Sequence, residues 1–248
     1  MPTKILYIVG TGSKNCDWEL RWSLRSLDKY ALDDVEPVVV GNVPEWFAGD
    51  ALPCSDKFDR KEKNINRKIM KAIEAKLVEG EFQISADDHF WIRPTEFANL
   101  PIYFRELALP NFLVENNNYN KALYGTLRVM LESGYSVINT TCHCNAWADS
   151  RSALNAEAVF ENARDEYGLA DKYGVVAWAL WPNLHICTGE HLTRPIRWRR
   201  DLKYRGEAAF REFILDADMF SINDKAFGSQ EFFDFMKENF DGKSRWEK

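Results

Sequence analysis

Ile5-Leu6-Tyr7-Ile8-Val9 is an uninterrupted apolar run that stops at Gly10-Thr11-Gly12-Ser13. This is the pattern of a central parallel strand, covered on both faces, that opens into a loop at its carboxyl end. Over residues 17–31, Leu20, Leu24, Leu27 and Ala31 recur at steps of four, three and four. That spacing predicts a helix with one buried stripe and Asp17 as its N-cap. Glu36-Pro37-Val38-Val39-Val40-Gly41 reads as a second strand, and Val43-Pro44-Glu45-Trp46-Phe47 as a loop closed by aromatic packing. Ile65, Ile69, Ile73 and Leu77 then predict a helix over 61–77, with Lys61, Asn64, Lys68 and Lys71 on another face. After Gly80 the run Phe82-Gln83-Ile84-Ser85-Ala86-Asp87-Asp88-His89-Phe90 reads as a buried strand that carries two adjacent carboxylates to its end.

The first hundred residues therefore alternate strand and helix, as a doubly wound α/β sheet does. In such sheets ligands sit at the carboxyl ends of the strands. Past Pro94 the pattern loosens into a loop-rich stretch over 95–118. A helix over 119–133, a β-branched strand over 135–141 and a helix over 153–165 follow. Residues 175–181 fit either a strand or a buried helix, because periodicity does not separate the two in a short apolar run. An amphipathic segment over 231–240 closes the chain.

Composition narrows the class. The chain has 248 residues, 46% of them hydrophobic, enough for one large domain or two small ones with a substantial core. A net charge of −6 argues against a surface coated in basic residues for gripping a polyanion, and nine Trp suit stacking on sugar or base rings. The amino-terminal run is too short for a secretory signal, and no segment approaches the roughly 20 apolar residues of a membrane span. A cytoplasmic location is expected, the host cytoplasm if a phage encodes the protein. The odd number of cysteines, five, does not suggest a disulfide framework. Cys142, His143, Cys144 and Cys187 lack the usual paired zinc-knuckle spacing, so the cysteines are expected to be buried free thiols.

The acidic pair is the main chemical signal. Mg²⁺ and Mn²⁺ bind through one or two carboxylates plus substrate phosphates, which suits Asp87-Asp88; the competing reading is an ordinary solvated turn. Arg21 and Arg25 lie four apart and project side by side from their helix, either as a diphosphate clamp or as a solvated face. The glycines after the first strand lack the third Gly of a dinucleotide-binding fingerprint, and there is no Walker loop. The segment 194–205 holds six basic residues interleaved with Trp198 and Tyr204. It suits a phosphate backbone, or else a charged surface loop.

Glu19-Leu20-Arg21-Trp22-Ser23-Leu24-Arg25-Ser26-Leu27-Asp28-Lys29-Tyr30, Val43-Pro44-Glu45-Trp46 and Asp87-Asp88-His89-Phe90 together resemble the second block of the Stealth family of sugar-phosphate transferases. The chain is more closely similar to short phage and bacterial nucleotide-sugar transferases with a GT-A-like fold. Those begin with Val-Gly-Thr-Gly-Ser, here Val9 to Ser13, carry Lys-Glu-Lys-Asn-Ile, here Lys61 to Ile65, and close with Phe-Ser-x-x-Asp, here Phe220 to Asp224. The likeness is dense over residues 4–97 and thin afterwards. The Stealth opening block Tyr-Thr-Trp-Val-Asp-Gly is replaced by Tyr7-Ile8-Val9-Gly10-Thr11-Gly12, which favours simple glycosyl transfer over sugar-phosphate transfer.

The resemblance implies a GT-A-like (Rossmann-like), mostly parallel sheet flanked by helices. It is a single domain whose residues 1–97 form the nucleotide-sugar half and 98–248 an irregular acceptor half. It also implies a donor, most simply a UDP-sugar, held by Gly10, Thr11, Gly12, Ser13, Arg21, Arg25, Asn64 and Lys68. Asp87 and Asp88 would hold Mn²⁺ or Mg²⁺, with His89 as a third ligand or an orienting neighbour. Asp88 serves catalysis as a metal ligand, and His143 and Asp149 are the candidate general bases for an inverting reaction. Arg197, Trp198, Arg199 and Arg200 would meet the acceptor, either hydroxymethylated pyrimidine DNA with its base flipped out or a cell-surface glycan. Two readings from other classes stand beside this one: a non-catalytic carbohydrate- or nucleotide-binding module, and a metal-dependent nuclease.

Overall fold

The computed structural model describes residues 1–11, 13, 15–106, 117–140, 143–161, 163, 168–189, 191–195, 203–206 and 209–248. Ile5, Leu6 and Val9 of β1 (Thr3–Val9) are at most 1% exposed, as a strand covered on both faces requires. α1 (Trp18–Tyr30) buries Leu20, Leu24 and Leu27. Asp17 is its N-cap by position only. Its backbone is left-handed, φ 58°, and its side chain makes no capping bond. β2 (Val35–Gly41) pairs parallel with β1, and a short β3 (Asp50–Pro53), missed by the periodicity, pairs parallel with β2.

α2 (Lys61–Glu74) is one turn shorter than its apolar spacing suggests, because the chain turns through left-handed Lys76 (φ 55°). β4 (Glu81–Ser85) returns beside β1. The acidic run is not one strand: β4 stops at Ser85, residues 86–89 turn, and β5 (His89–Trp91) departs into another sheet.

The remaining elements are β6 (Ile102–Glu106), α3 (Asn118–Glu132), β7 (Asn139–Thr140), β8 (Ala146–Asp149), α4 (Ala153–Glu161), α5 (Leu169–Tyr173), α6 (Ala177–Ile186), β9 (Thr193–Pro195), β10 (Lys203–Tyr204), α7 (Phe210–Ile214), β11 (Met219–Ile222) and α8 (Gln230–Phe240). The segment left open between strand and helix is α6, buried on all sides despite Pro182 within it. The strand expected over 135–141 shrinks to β7, because Asn183 of α6 bonds the backbone of Ile138 at both N–H and C=O.

The result is a single-domain mixed α/β fold around a five-stranded sheet in the order β3-β2-β1-β4-β8, parallel except for β8. Since β8 comes from the carboxyl-terminal half, the two halves share one sheet. Core side chains pack on both of its faces, and a third, aromatic cluster joins α7, β11 and α8. No helix among the described residues is long and apolar enough to cross a membrane.

Candidate functional site

In the strand order β3-β2-β1-β4, the chain moves outward on one side of β1 and then crosses to the other. The carboxyl ends of β1 and β4 therefore flank a topological switch point, the usual ligand crevice of an open α/β sheet. A cleft of about 620 Å³ lies there. Gly10, Thr11 and Ser13 line it from the end of β1, and Ala86, Asp87 and Asp88 from the end of β4. Lys61, Asn64 and Lys68 reach it from α2, and Asn223, Asp224 and Phe227 from beyond β11.

The acidic pair occupies the two corner positions of a tight turn closed by the His89 N–H donating to the Ala86 carbonyl, 3.3 Å. Asp suits such turns. Beneath it lies a fully buried polar layer. Ser85 Oγ donates to Asn145 Oδ1 (2.9 Å), Asn145 Nδ2 to Gln83 Oε1 (3.1 Å), and Gln83 Nε2 to the Phe97 carbonyl (2.6 Å). The Ala86 N–H donates to His89 Nδ1 at 3.4 Å, so that nitrogen accepts and Nε2 carries the proton. Nε2 lies 3.9 Å from Asp88 Oδ1. That separation is longer than a hydrogen bond, so buried His89 is a close neighbour of Asp88, and Trp178 packs edge-on against it.

Burial, then the charge of Asp88 and then that of Glu19 push the Asp87 carboxyl up to about 7, only partly opposed by Lys61. Asp56, Asp59 and Asp224 also line the cleft. Carboxylates crowded into one cleft, one of them resisting ionisation, form a donor set that fits a hard divalent cation.

The loop after β1 is held by a residue the sequence reading passed over. Glu19 accepts from Ser13 Oγ (3.0 Å) and Asn15 Nδ2 (2.9 Å). Lys68 is buried and donates to the Val9 carbonyl (3.0 Å) while pairing with Asp56 (2.6 Å), so it ties β1 to the opposite wall. Asn64 accepts from the N–H groups of Lys57 and Phe58 and donates to the Phe58 carbonyl, which shapes the loop over 54–59. Lys61 and Lys203 are further cations on the cleft wall.

Several expected site residues lie elsewhere. Arg21 and Arg25 do not line the cleft. Arg21 Nη1 bonds Glu247 Oε2 (2.7 Å), and Arg25 bonds both Glu247 oxygens and the carbonyls of Phe240 and Asp241. Their donors serve the carboxyl terminus in place of a diphosphate. Asp149 pairs with Glu81 at the start of β4, the end opposite the acidic turn, so it is not placed as a base for this cleft. Burial would raise its carboxyl, but the Arg151 side chain and N–H hold it below the ordinary carboxylate range. His143 Nδ1 is 3.3 Å from Ser221 Oγ, one residue before the cleft-lining Ile222.

Gly12 and the acceptor residues Arg197, Trp198, Arg199 and Arg200 lie outside the described residues. At the end of that basic segment Lys203 faces the cleft, whereas Tyr204 is 2% exposed in the aromatic core and is not placed to stack on a base. Of the described cysteines, Cys54 and Cys144 are buried free thiols and Cys16 and Cys187 exposed ones, and Cys142 lies outside the described residues.

At the other end of the sheet Glu81, Asp149 and His185 bring one donor atom each to within 4.8 Å of the others. His185 stacks on Trp147 and lies 3.8 Å, ring to ring, from His191. Burial and the neighbouring His191 push its pKa down to about 4.

Compared with known proteins, the chain matches no family model and no curated protein sequence.

Proposed function

We propose that the protein is a metal-dependent glycosyltransferase of GT-A-like architecture that moves a sugar from a nucleoside diphosphate donor to an acceptor hydroxyl. The observation that carries this reading is the meeting of Asp87 and Asp88 with the loop after β1 in one cleft at the switch point of the sheet. Asp87 and Asp88 are the residues that would hold Mn²⁺ or Mg²⁺. Bound there, the cation would supply Lewis-acid neutralisation of the charge that grows on the departing nucleoside diphosphate. The chain's own residues do the rest. Gly10 and Thr11 bring backbone close to the donor, and Lys61 can add a charge-assisted hydrogen bond to a phosphate. His89, 3.9 Å from Asp88, would steady it once a cation draws the carboxylate in, and Glu19 keeps the glycine-containing loop in place.

The acceptor side is the wall formed by Lys203, Asn223, Asp224 and Phe227. Lys203 on that wall favours a phosphate-bearing acceptor, and hydroxymethylated pyrimidine DNA is the acceptor to test first. The experiment is mass spectrometry of hydroxymethylcytosine- and hydroxymethyluracil-containing DNA, with glycan acceptors alongside, after incubation with UDP-, GDP- and CDP-sugars and Mn²⁺. A hexose added to one acceptor supports the reading. Metal-dependent donor hydrolysis with no acceptor modified would keep the donor site and reject DNA and the tested glycans; neither transfer nor hydrolysis would reject the function. Strand cleavage would point to a nuclease.

A further inference from the structure

The carboxylates of Glu81 and Asp149 face each other across the antiparallel pair β4 and β8, and α6 lays His185 against them. Among the described residues this is the one group of three His, Cys, Asp or Glu side chains whose donor atoms all lie within 4.8 Å. An acidic pair alone would be unremarked surface chemistry. The second observation is His185 itself. It is 2% exposed, and its Nδ1 is a buried polar atom with no hydrogen-bond partner among the described residues. Buried polar atoms are almost always paired, so an imidazole that brings one nitrogen near two carboxylates and keeps its buried Nδ1 unpaired has ligating capacity that the described residues do not use.

We propose that Glu81, Asp149 and His185 form a binding site for a zinc-type dication at the end of the sheet opposite the cleft. One imidazole nitrogen and two carboxylate oxygens are a donor set suited to Zn²⁺, which accepts both and needs three or four protein ligands. Donors around one such ion lie about 3–4 Å apart, so the group must contract slightly. The Glu81 side chain, 50% exposed, pairs with Arg151 Nη2 at 3.7 Å and can make that adjustment once the guanidinium moves aside. Asp149 is now held by Arg151 through Nε and Nη2, and Arg151 is 68% exposed, so the guanidinium can withdraw to solvent. The ion would then clamp α6 to the edge strand of the sheet, independently of the cleft and of any transferase activity.

Equilibrium dialysis of the whole chain against Zn²⁺ alone tests this, on a background carrying Asp87→Asn and Asp88→Asn so that the cleft does not contribute. One equivalent should bind, and Co²⁺ in its place should give a visible absorption band. His185→Ala should weaken binding at least tenfold, while Arg151→Ala, which removes a competing cation, should tighten it severalfold. Because truncating a buried histidine can disturb folding, Glu81→Gln at an exposed position is the second variant; it should weaken binding severalfold with an unchanged circular dichroism spectrum. No Zn²⁺ binding on the cleft-disabled background would overturn the proposal, as would binding indifferent to both Glu81→Gln and Arg151→Ala. Those outcomes leave the cleft reading untouched, which rests on separate variants.

Discussion

Asp87 is the residue at which structure and chemistry meet most closely. Burial and neighbouring negative charge raise its carboxyl from 3.8 to about 7. A carboxyl more basic in the folded than in the unfolded chain binds more protons when folded between those two values. The metal-free protein should therefore lose stability as pH rises from about 4 to about 7. Asp87→Asn should flatten that part of a urea-stability profile, and an unchanged slope would show that Asp87 is not strained. Addition of Mn²⁺ should stabilise the native protein most at the upper end of the window, where the acid is ionised. His89→Ala should weaken Mn²⁺ binding by about 10- to 100-fold through lost orientation of Asp88, read by titration calorimetry; full affinity would remove His89 from the site.

At the scale of elements, the expected diphosphate clamp is a carboxyl-terminal anchor. Burial would raise the Glu247 carboxyl, but the bond from Arg25, the Ser244 N–H, the charge of Arg25 and the bond from Arg21 draw it down to about 2. Its contribution to stability is present above 4.5 and is lost as pH falls from there towards about 2. Glu247→Ala leaves Arg25, 8% exposed, without its carboxylate, and should destabilise the fold by about 3 kcal/mol in urea denaturation. If Arg25 were a donor ligand, Arg25→Ala would chiefly raise KM; the anchor predicts loss of stability with KM little changed.

Gly41 makes a comparable demand: its φ is 125°, and an added Cβ would lie 1.9 Å from the Val9 carbonyl oxygen. Gly41→Ala should accordingly lower stability by roughly 1–3 kcal/mol and disturb the Lys68 tether behind the cleft. An unaltered midpoint in the same denaturation assay would contradict this.

These elements also show what could be read from the chain. β1, α1, β2 and α2 carry strong apolar periods that packing then obeyed, and the Asp-Asp turn was visible as two acids after a buried strand. The role of Arg21 and Arg25 was not, because their partner Glu247 lies more than two hundred residues away and nothing in their helical spacing announces it. Glu19 stands in the chain only as one residue of the helical block, and its hold on Ser13 exists only once the loop folds back. Asp149 was read as a candidate base following a strand, but it ends β8, whose antiparallel entry places it away from the cleft. Residues 175–181 needed tertiary context to become helix.

For the whole molecule, the sheet has two chemically distinct ends. At one end the carboxyl termini of parallel strands gather acids, backbone and lysines around a cleft large enough for a nucleotide. At the other, an antiparallel strand brings Asp149 back beside Glu81 and under α6. Net charge of −6 leaves the bulk surface unsuited to holding a polyanion, so any engagement of DNA must be local and should weaken steeply as salt rises. Retention of duplex DNA unchanged between low and physiological salt would argue against phosphate contacts.

The most direct test is titration calorimetry of nucleoside diphosphates, UDP first and then GDP and CDP, into the native protein and Asp88→Ala, with Mn²⁺ and with chelator. Native protein with Mn²⁺ should bind one of them, chelation should abolish the heat, and Asp88→Ala should reduce affinity about 100-fold or more while keeping its fold. Equal binding by the native protein in chelator, or by Asp88→Ala in Mn²⁺, would contradict a metal-assisted diphosphate site at the turn after β4.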